Sequence, residues 1–290
     1  MNRTIELKFI TPLFSHGAMD VPEIRPPSIR GQLHDWFRLL GGDIVAERRV
    51  FGGIRQTKAR YESHDRTLSS SVVVRVSDVR GNVVDSQTLP HKSGGAASLR
   101  RAFAAGTTCR VLVLDRLRGL SSEDERRLSA AIDAWLLMGT LGYRATRAGG
   151  SFSWHDEGFT QPTTRLEYED ACRNLLDEFS VKAKVAVLSK PYETAERARK
   201  TVSDSLGGKD RNGKQDDLER LRYPLGRVSD GRKTSSLRYR IVRLKTGYHV
   251  VAFWDNRSAV TGNTVNDFYG VVDLLARKKP ELGKQLQEAF

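Results

Sequence analysis

The sequence predicts an α+β protein made of two βαββαβ halves with inserted basic loops. Three observations carry this. At 290 residues the chain is too long for one small module. Strand-period and helix-period segments follow one another in a similar order in both halves. Two stretches rich in lysine and arginine fit neither core. The division falls between residues 1–158 and 159–290.

In the first half, TIELKFI (4–10) alternates, with Ile5, Leu7 and Phe9 on one face. A loop containing glycine and proline follows, then a helix over 28–40. RVFGG (49–53) reads as a strand end. Residues 69–86, SSSVVVRVSDVRGNVVDS, read as a strand, a turn at Arg80-Gly81-Asn82 and a second strand. TTCRVLVLD (107–115) is a buried strand. Ser122 and Glu125 form a capping box. The helix they open carries Leu128, Ile132, Trp135 and Met138 on one stripe. Gly139, Gly142, Gly149 and Gly150 then punctuate a loop before the strand SFSW (151–154).

The second half repeats the order without repeating the sequence. KAKVAVL (182–188) is a strand, and residues 192–206 form a helix. SLRYRIVRL and YHVVAFWD flank Lys245-Thr246-Gly247 as a hairpin. Residues 264–278 form a helix with Val265, Phe268, Tyr269 and Val272 inward. Each half is therefore read as ferredoxin-like (RRM-like). The segments 48–66 and 206–233 are read as exposed, mobile loops of the kind that carry function.

The 48 Lys+Arg against 35 Asp+Glu and a pI near 9.9 favour a polyanionic partner. Residues 197–245 hold fifteen Lys/Arg and six Asp/Glu, most of that excess. No apolar run approaches the roughly 20 residues that span a bilayer, and the N-terminus lacks a signal-peptide core. Cys109 and Cys172 lie in no CxxC pair and read as reduced core thiols. A cytoplasmic protein is expected, with no metal and no cofactor.

The helix over 28–40 has two faces. Ile29, Leu33, Trp36, Phe37 and Leu40 form an apolar stripe. Arg30, His34 and Arg38 form a second stripe roughly 100° away. Pro26 and Pro27 fix the entry, Ser28 can cap the first turn, and the N–H groups there make a weak anion site. Gly31 costs about 1 kcal/mol of helix stability relative to alanine, which close approach of another backbone, such as a phosphodiester chain, would offset. By spacing alone this is either a solvated charged face or an RNA-facing one.

Beyond spacing, the stretch FITPLFSHGAMDVPEIRPPSIRGQLHDWFRLLGG, followed by VFGG, resembles the N-terminus of the first subunit of Cmr-type (type III-B) CRISPR effectors, a RAMP superfamily protein. The matching residues are Thr11, Pro12, Leu13, Phe14, Arg25, Pro26, Ser28, Ile29, Arg30, Gly31, Trp36, Arg38, Leu40, Gly41, Gly42, Phe51 and Gly52; Pro27 replaces a serine. LGYRATRAGGSF resembles the family's glycine-rich loop more loosely, through Arg144, Arg147, Gly149, Gly150 and Ser151, with phenylalanine displaced to 152.

The resemblance implies an RNA-binding structural subunit that contacts guide crRNA near its 3′ end, the guide–target RNA duplex and other RAMP subunits, with no membrane. It places Arg25, Ser28, Arg30, Gly31, His34, Arg38, Arg144 and Arg147 along the RNA path. The loop 48–66, with Arg55, Lys58, Arg60 and Tyr61, would be an inserted thumb. Related backbone subunits cleave RNA with an aspartate between the first strand and first helix, where Asp20 lies near His16. The first Cmr subunit resembles a non-cutting member, so no catalytic residue is expected. The alternatives are a target-RNA-cleaving subunit using Asp20 and a guide-processing endoribonuclease. A generic single-strand RNA module would require paired strand aromatics, and the sequence has none in that pattern.

Overall fold

The computed structural model describes residues 1–53, 68–91, 99–116, 119–205, 225, 234–257, 260 and 268–290. It is a mixed α+β protein with antiparallel sheets. The first sheet takes β1 (Asn2–Phe9), β2 (Val72–Arg80), β5 (Thr108–Asp115) and β6 (Phe152–His155) in the order β2-β5-β1-β6. Its register sets Ile5 beside Val111 and Leu7 between Cys109 and Trp154, so one face is apolar. That face packs on α1 (Pro26–Leu39) and α3 (Ser122–Met138).

The apolar stripe of α1 is buried throughout: Ile29, Leu33, Trp36, Phe37 and Leu40 are each 2 % exposed or less. The predicted stripe of α3 is buried as well. The α3 cap, however, is Ser121, whose Oγ accepts from the Asp124 N–H at 3.1 Å, one residue before the predicted box.

Other sequence expectations are corrected. RVFGG is no strand end. It closes α2 (Ile44–Phe51), which Asp43 caps by accepting from the Val45 and Ala46 N–H groups at 2.9 and 2.7 Å. Val50 and Phe51, placed by the sequence in an exposed loop, are core residues of that helix. Most of the segment 48–66 and nearly all of 206–233 lie outside the described residues. The Arg80-Gly81-Asn82 turn joins no hairpin: β2 pairs with β5, while β3 (Val83–Gln87) pairs with β4 (Leu99–Phe103) in a separate ribbon. A register shift between Ser77 and Arg80, with Asp78 at φ 51°, carries the chain out of the sheet.

The second sheet has the order β7-β9-β8, from β7 (Lys184–Val187), β8 (Leu237–Leu244) and β9 (Gly247–Trp254). It is covered on both faces. Val242, Leu244, Val251 and Phe253 join the core of the first sheet, and Trp36 of α1 lies 5.2 Å from the Phe253 ring. Tyr239, Ile241, Val250 and Ala252 face the other way. There they meet α5 (Ala195–Ser205), α6 (Phe268–Lys278) and α7 (Pro280–Ala289). Two covered faces explain why YHVVAFW is continuously apolar instead of alternating. In α6, Phe268 and Val272 are buried as expected and Val265 lies outside the described residues; Tyr269 is instead 57 % exposed, its hydroxyl accepting from Lys184 Nζ at 3.2 Å.

Besides α2, two further helices escaped the sequence reading. One is α7. The other is α4 (Arg165–Glu178), opened by a capping box between Thr164 and Glu167 and buried through Tyr168, Cys172 and Leu176. Cys109 and Cys172 are unpaired and buried, and burial pushes the Cys109 thiol up to about 12.

Candidate nucleic-acid interface

The motif Thr11-Pro12-Leu13-Phe14 has a local reason. This segment is laced to the glycine-rich loop on one side and to the ribbon on the other. Thr11 Oγ1 donates to the Ala148 carbonyl at 2.8 Å and accepts from the Ser151 N–H at 2.9 Å. Gly150 N–H donates to the Pro12 carbonyl and Tyr143 N–H to the Phe14 carbonyl. Leu13 exchanges both backbone hydrogen bonds with Phe103 at 3.0 Å. Gly142 and Gly150 have φ of 83° and 63°, and a Cβ on either would collide with a backbone carbonyl, of Phe14 and Leu141 respectively. Arg144 and Ala148 take positive φ in the same loop, 61° and 58°, a strained stretch next to charged groups.

The start of α1 differs from expectation. Arg25 is the N-cap residue, exposed, and no side chain caps the helix; Ser28 is already inside it. Pro26 and Pro27 carry no N–H, and the Ser28 and Ile29 N–H groups turn back to the Arg25 carbonyl. The expected fork of N–H donors is therefore missing at this helix start, and the helix dipole remains. Gly31 is exposed, and an added Cβ would meet nothing within 4 Å among the described residues, so no intramolecular backbone accounts for it.

The basic stripe of α1 docks α2. Arg30 Nη2 donates to the Phe51 carbonyl. His34 Nδ1 and the Arg38 guanidinium both reach Glu47, which is 5 % exposed; Arg38 Nε lies 2.7 Å from Glu47 Oε2. His34 also stacks on Phe51 with ring centroids 4.0 Å apart. Burial lowers the His34 pKa despite Glu47, so at neutral pH His34 is an uncharged donor and not a cation of the stripe. Burial alone would raise the Glu47 carboxyl, but Arg38 and His34 outweigh it and hold it below the usual carboxylate range. Arg38 keeps 55 % of its side chain exposed, so one edge still faces solvent.

In the glycine-rich loop, burial and then Arg144 push Arg147 down to about 10. Arg100 of the ribbon lies 5.5 Å over the Tyr143 ring. The structure thus collects Arg144 and Arg147 against the 11–14 segment, and Arg30, His34 and Arg38 against α2. Arg55, Lys58, Arg60 and Tyr61 lie outside the described residues. Asp20 is 74 % exposed in its side chain, at φ 58°, with His16 Nδ1 at 3.9 Å; His16 Nε2 meets the Arg101 carbonyl at 2.8 Å. Among the described residues no three His, Cys, Asp or Glu side chains are grouped to hold a metal ion, and no helix is long and apolar enough to cross a membrane.

Sequence reasoning missed Glu47 and Asp35. Asp35 joins Arg238 (Oδ2 to Nη1, 2.7 Å) and Arg257 (Oδ1 to Nη2, 2.8 Å) at the end of the second sheet. Its signal was its place on α1 between the two stripes, which pointed to neither core nor solvent.

These features, a sheet with two helices on one face and a glycine- and arginine-bearing loop laced to the segment that follows β1, define the class. The RAMP superfamily pattern matches residues 6–153, and the chain belongs to that superfamily. The resemblance to the Cmr branch is borne out by its relatives. The chain is 26 % identical over 192 residues to the CRISPR system Cmr subunit Cmr1-1 of Pyrococcus furiosus, covering 58 % of this chain and 54 % of the relative. The aligned stretch thus spans about half the length of that protein. The crystal structure of apo Cmr1 from Pyrococcus furiosus superposes with TM-score 0.61 at 17 % identity, covering 97 % of both chains. A chain in the cryo-EM structure of the type III-B Cmr-beta complex bound to cognate target RNA superposes with TM-score 0.59 at 11 % identity, covering 95 % of this chain and 99 % of that one.

Proposed function

We propose that this protein is a non-catalytic, RNA-binding subunit of a type III CRISPR ribonucleoprotein. In this reading it works in the cytoplasm beside other RAMP subunits, contacting guide RNA near its 3′ end and the guide–target duplex. The observation that carries it is the lacing of segment 11–14 to the loop that holds Arg144 and Arg147. A strained, glycine-bearing backbone there carries two guanidiniums, that of Arg147 desolvated, the chemistry that grips phosphate without reading sequence. Arg25 and the open edge of Arg38 extend that surface along α1. In this reading Asp20 has no part in catalysis; its carboxylate is 74 % exposed, with His16 Nδ1 at 3.9 Å.

The same reading treats the halves 1–158 and 159–290 as two ferredoxin-like units. Without the ribbon and the short α2, the first half runs β1-α1-β2-β5-α3-β6, the βαββαβ order. The second follows it through β7, α5, β8 and β9, and α6 takes the place of the second helix.

The test is a salt titration of RNA binding. Arg25→Ala combined with Arg38→Ala is expected to weaken binding at least tenfold and to lower the slope of log K against log salt by about 1.4, two single-strand phosphates' worth. Unchanged affinity and slope would overturn the reading. Gly31→Ala separates packing from recognition. It is expected to raise unfolding free energy by about 1 kcal/mol, because nothing blocks the methyl group, yet to weaken RNA binding. A stabilised variant with wild-type affinity would remove Gly31 from the RNA path.

A further inference from the structure

We infer that Tyr143 and Arg100 form a surface platform for one unpaired RNA base, the Tyr143 ring stacking on the base and Arg100 meeting the adjoining phosphate. This rests on the RNA-binding reading and adds a base-stacking site to it.

A rigid turn holds Tyr143 at the surface. Its neighbours Gly142 and Arg144 have φ of 83° and 61°. Its N–H donates to the Phe14 carbonyl at 2.7 Å. A Cβ on Gly149 would crowd the Tyr143 carbonyl at 3.0 Å. The backbone is thus pinned on both sides, yet Tyr143 is 47 % exposed. Burying the ring would be favourable, and the turn holds it in water instead. Strained backbone of this kind is kept where a side chain has to be presented. Among the described residues the only other exposed Phe, Tyr or Trp is Tyr269, whose hydroxyl is tied to Lys184 Nζ at 3.2 Å in the second half.

Arg100 comes from a different element. It lies exposed on β4, with its guanidinium 5.5 Å over the Tyr143 ring. The same segment positions both groups: Phe14 takes the Tyr143 N–H, and Leu13 exchanges backbone hydrogen bonds with Phe103 of β4. The ribbon register sets Asp85 opposite Arg101 but only Ser86 opposite Arg100. Among the described residues Arg100 makes no ion pair, so its charge is uncompensated. An exposed ring beside an uncompensated guanidinium matches one nucleotide. The base offers a π-face to the ring, and the phosphate offers an anion to the cation. Arg144 follows Tyr143 directly in the chain and continues the surface toward the glycine-rich loop.

The experiment uses the full chain and a labelled oligoadenylate strand titrated at several salt concentrations. Tyr143→Ala is expected to weaken binding about tenfold and to leave the salt slope unchanged, because stacking releases no counterion. Tyr143→Phe keeps the ring and should restore most of that loss. Arg100→Gln should weaken binding and lower the slope by about 0.7, one single-strand phosphate. The four native tryptophans are buried, so the indole of Tyr143→Trp reports on the surface, and RNA should quench it. Should the alanine variant not fold, that quenching decides alone. Wild-type affinity in folded Tyr143→Ala, while the Arg25 and Arg38 changes still weaken binding, would overturn the platform and leave the RNA reading standing. If neither set weakens binding, both fail. A Tyr143→Ala loss accompanied by a fallen slope, with the Tyr143→Trp indole unquenched, would make the ring a mere support for a phosphate-binding arginine and overturn the stacking. Loss of partner-subunit binding with RNA affinity intact would assign the surface to a protein and overturn the proposal as well.

Discussion

Asp255→Ala is expected to lower the unfolding free energy by about 3 kcal/mol in urea denaturation. Asp255 is 0 % exposed. Its carboxylate takes Arg257 Nη2 at 2.6 Å and Nε at 2.9 Å, Arg238 Nη2 at 3.1 Å and the Arg257 N–H at 3.1 Å. Removing it takes from two guanidiniums, 15 % and 23 % exposed, one of the two carboxylates they share, with Asp35 the other. Their partial exposure and that remaining partner put the loss at the low end of what breaking a buried ion pair costs. A loss below about 1 kcal/mol would mean that water replaces the carboxylate.

The same network carries a pH signature. Burial would raise the Asp35 carboxyl, but Arg238 and Arg257 overcome this and hold it below its ordinary value. Its contribution to stability is therefore present above the ordinary carboxylate pKa and is lost as pH falls through the lower folded value. Because Asp35 lies on α1 and Asp255 directly after β9, this network also fixes α1 against the second sheet.

Arg240→Ala is expected to cost about 4 kcal/mol, whereas Arg240→Met should cost about 1 kcal/mol or less. Arg240 is 1 % exposed, on β8. Its Nη1 and Nη2 donate to the Leu136 and Phe152 carbonyls, and its guanidinium lies 4.7 Å over the Phe152 ring and 5.6 Å over that of Trp154. The Leu136 carbonyl belongs to the last turn of α3, where a positive charge is favoured. Against these gains stands burial, which pulls the Arg240 pKa down, and an Nε without a partner among the described residues. Alanine leaves both a cavity and two uncovered carbonyls. Methionine refills the volume and removes the buried charge. Equal losses for the two variants, read from urea midpoints at constant m, would show that the charge itself and not the filled space holds β8 to α3.

Where neighbours along the chain settle a side chain's surroundings, the sequence was readable. Ile5, Leu7 and Phe9 alternate because β1 has one covered face, and the α1 stripe recurs because one helix side meets the core. The capping box of α4 was equally local, and Thr164 with Glu167 was the available signal for that missed helix. The expectation of an RNA path came from a family pattern in residues 11–52, not from spacing, since a charged helix face reads the same whether it meets water, RNA or another helix.

What the sequence determined by itself was the α+β class, the order of most strands and helices, the buried face of β1, α1 and α3, and the RAMP resemblance. These follow from periodicity and short-range chemistry. Tertiary structure alone decided that β2 pairs with β5 instead of β3, since local turn residues at Arg80-Gly81-Asn82 cannot outweigh a full ladder to a distant strand. It also decided that His34 and Arg38 hold Glu47, and that Asp35 belongs to Arg238 and Arg257. Electrostatic partnerships between residues up to 222 positions apart leave no periodic trace in a sequence; they exist only once the apolar faces have brought the elements together.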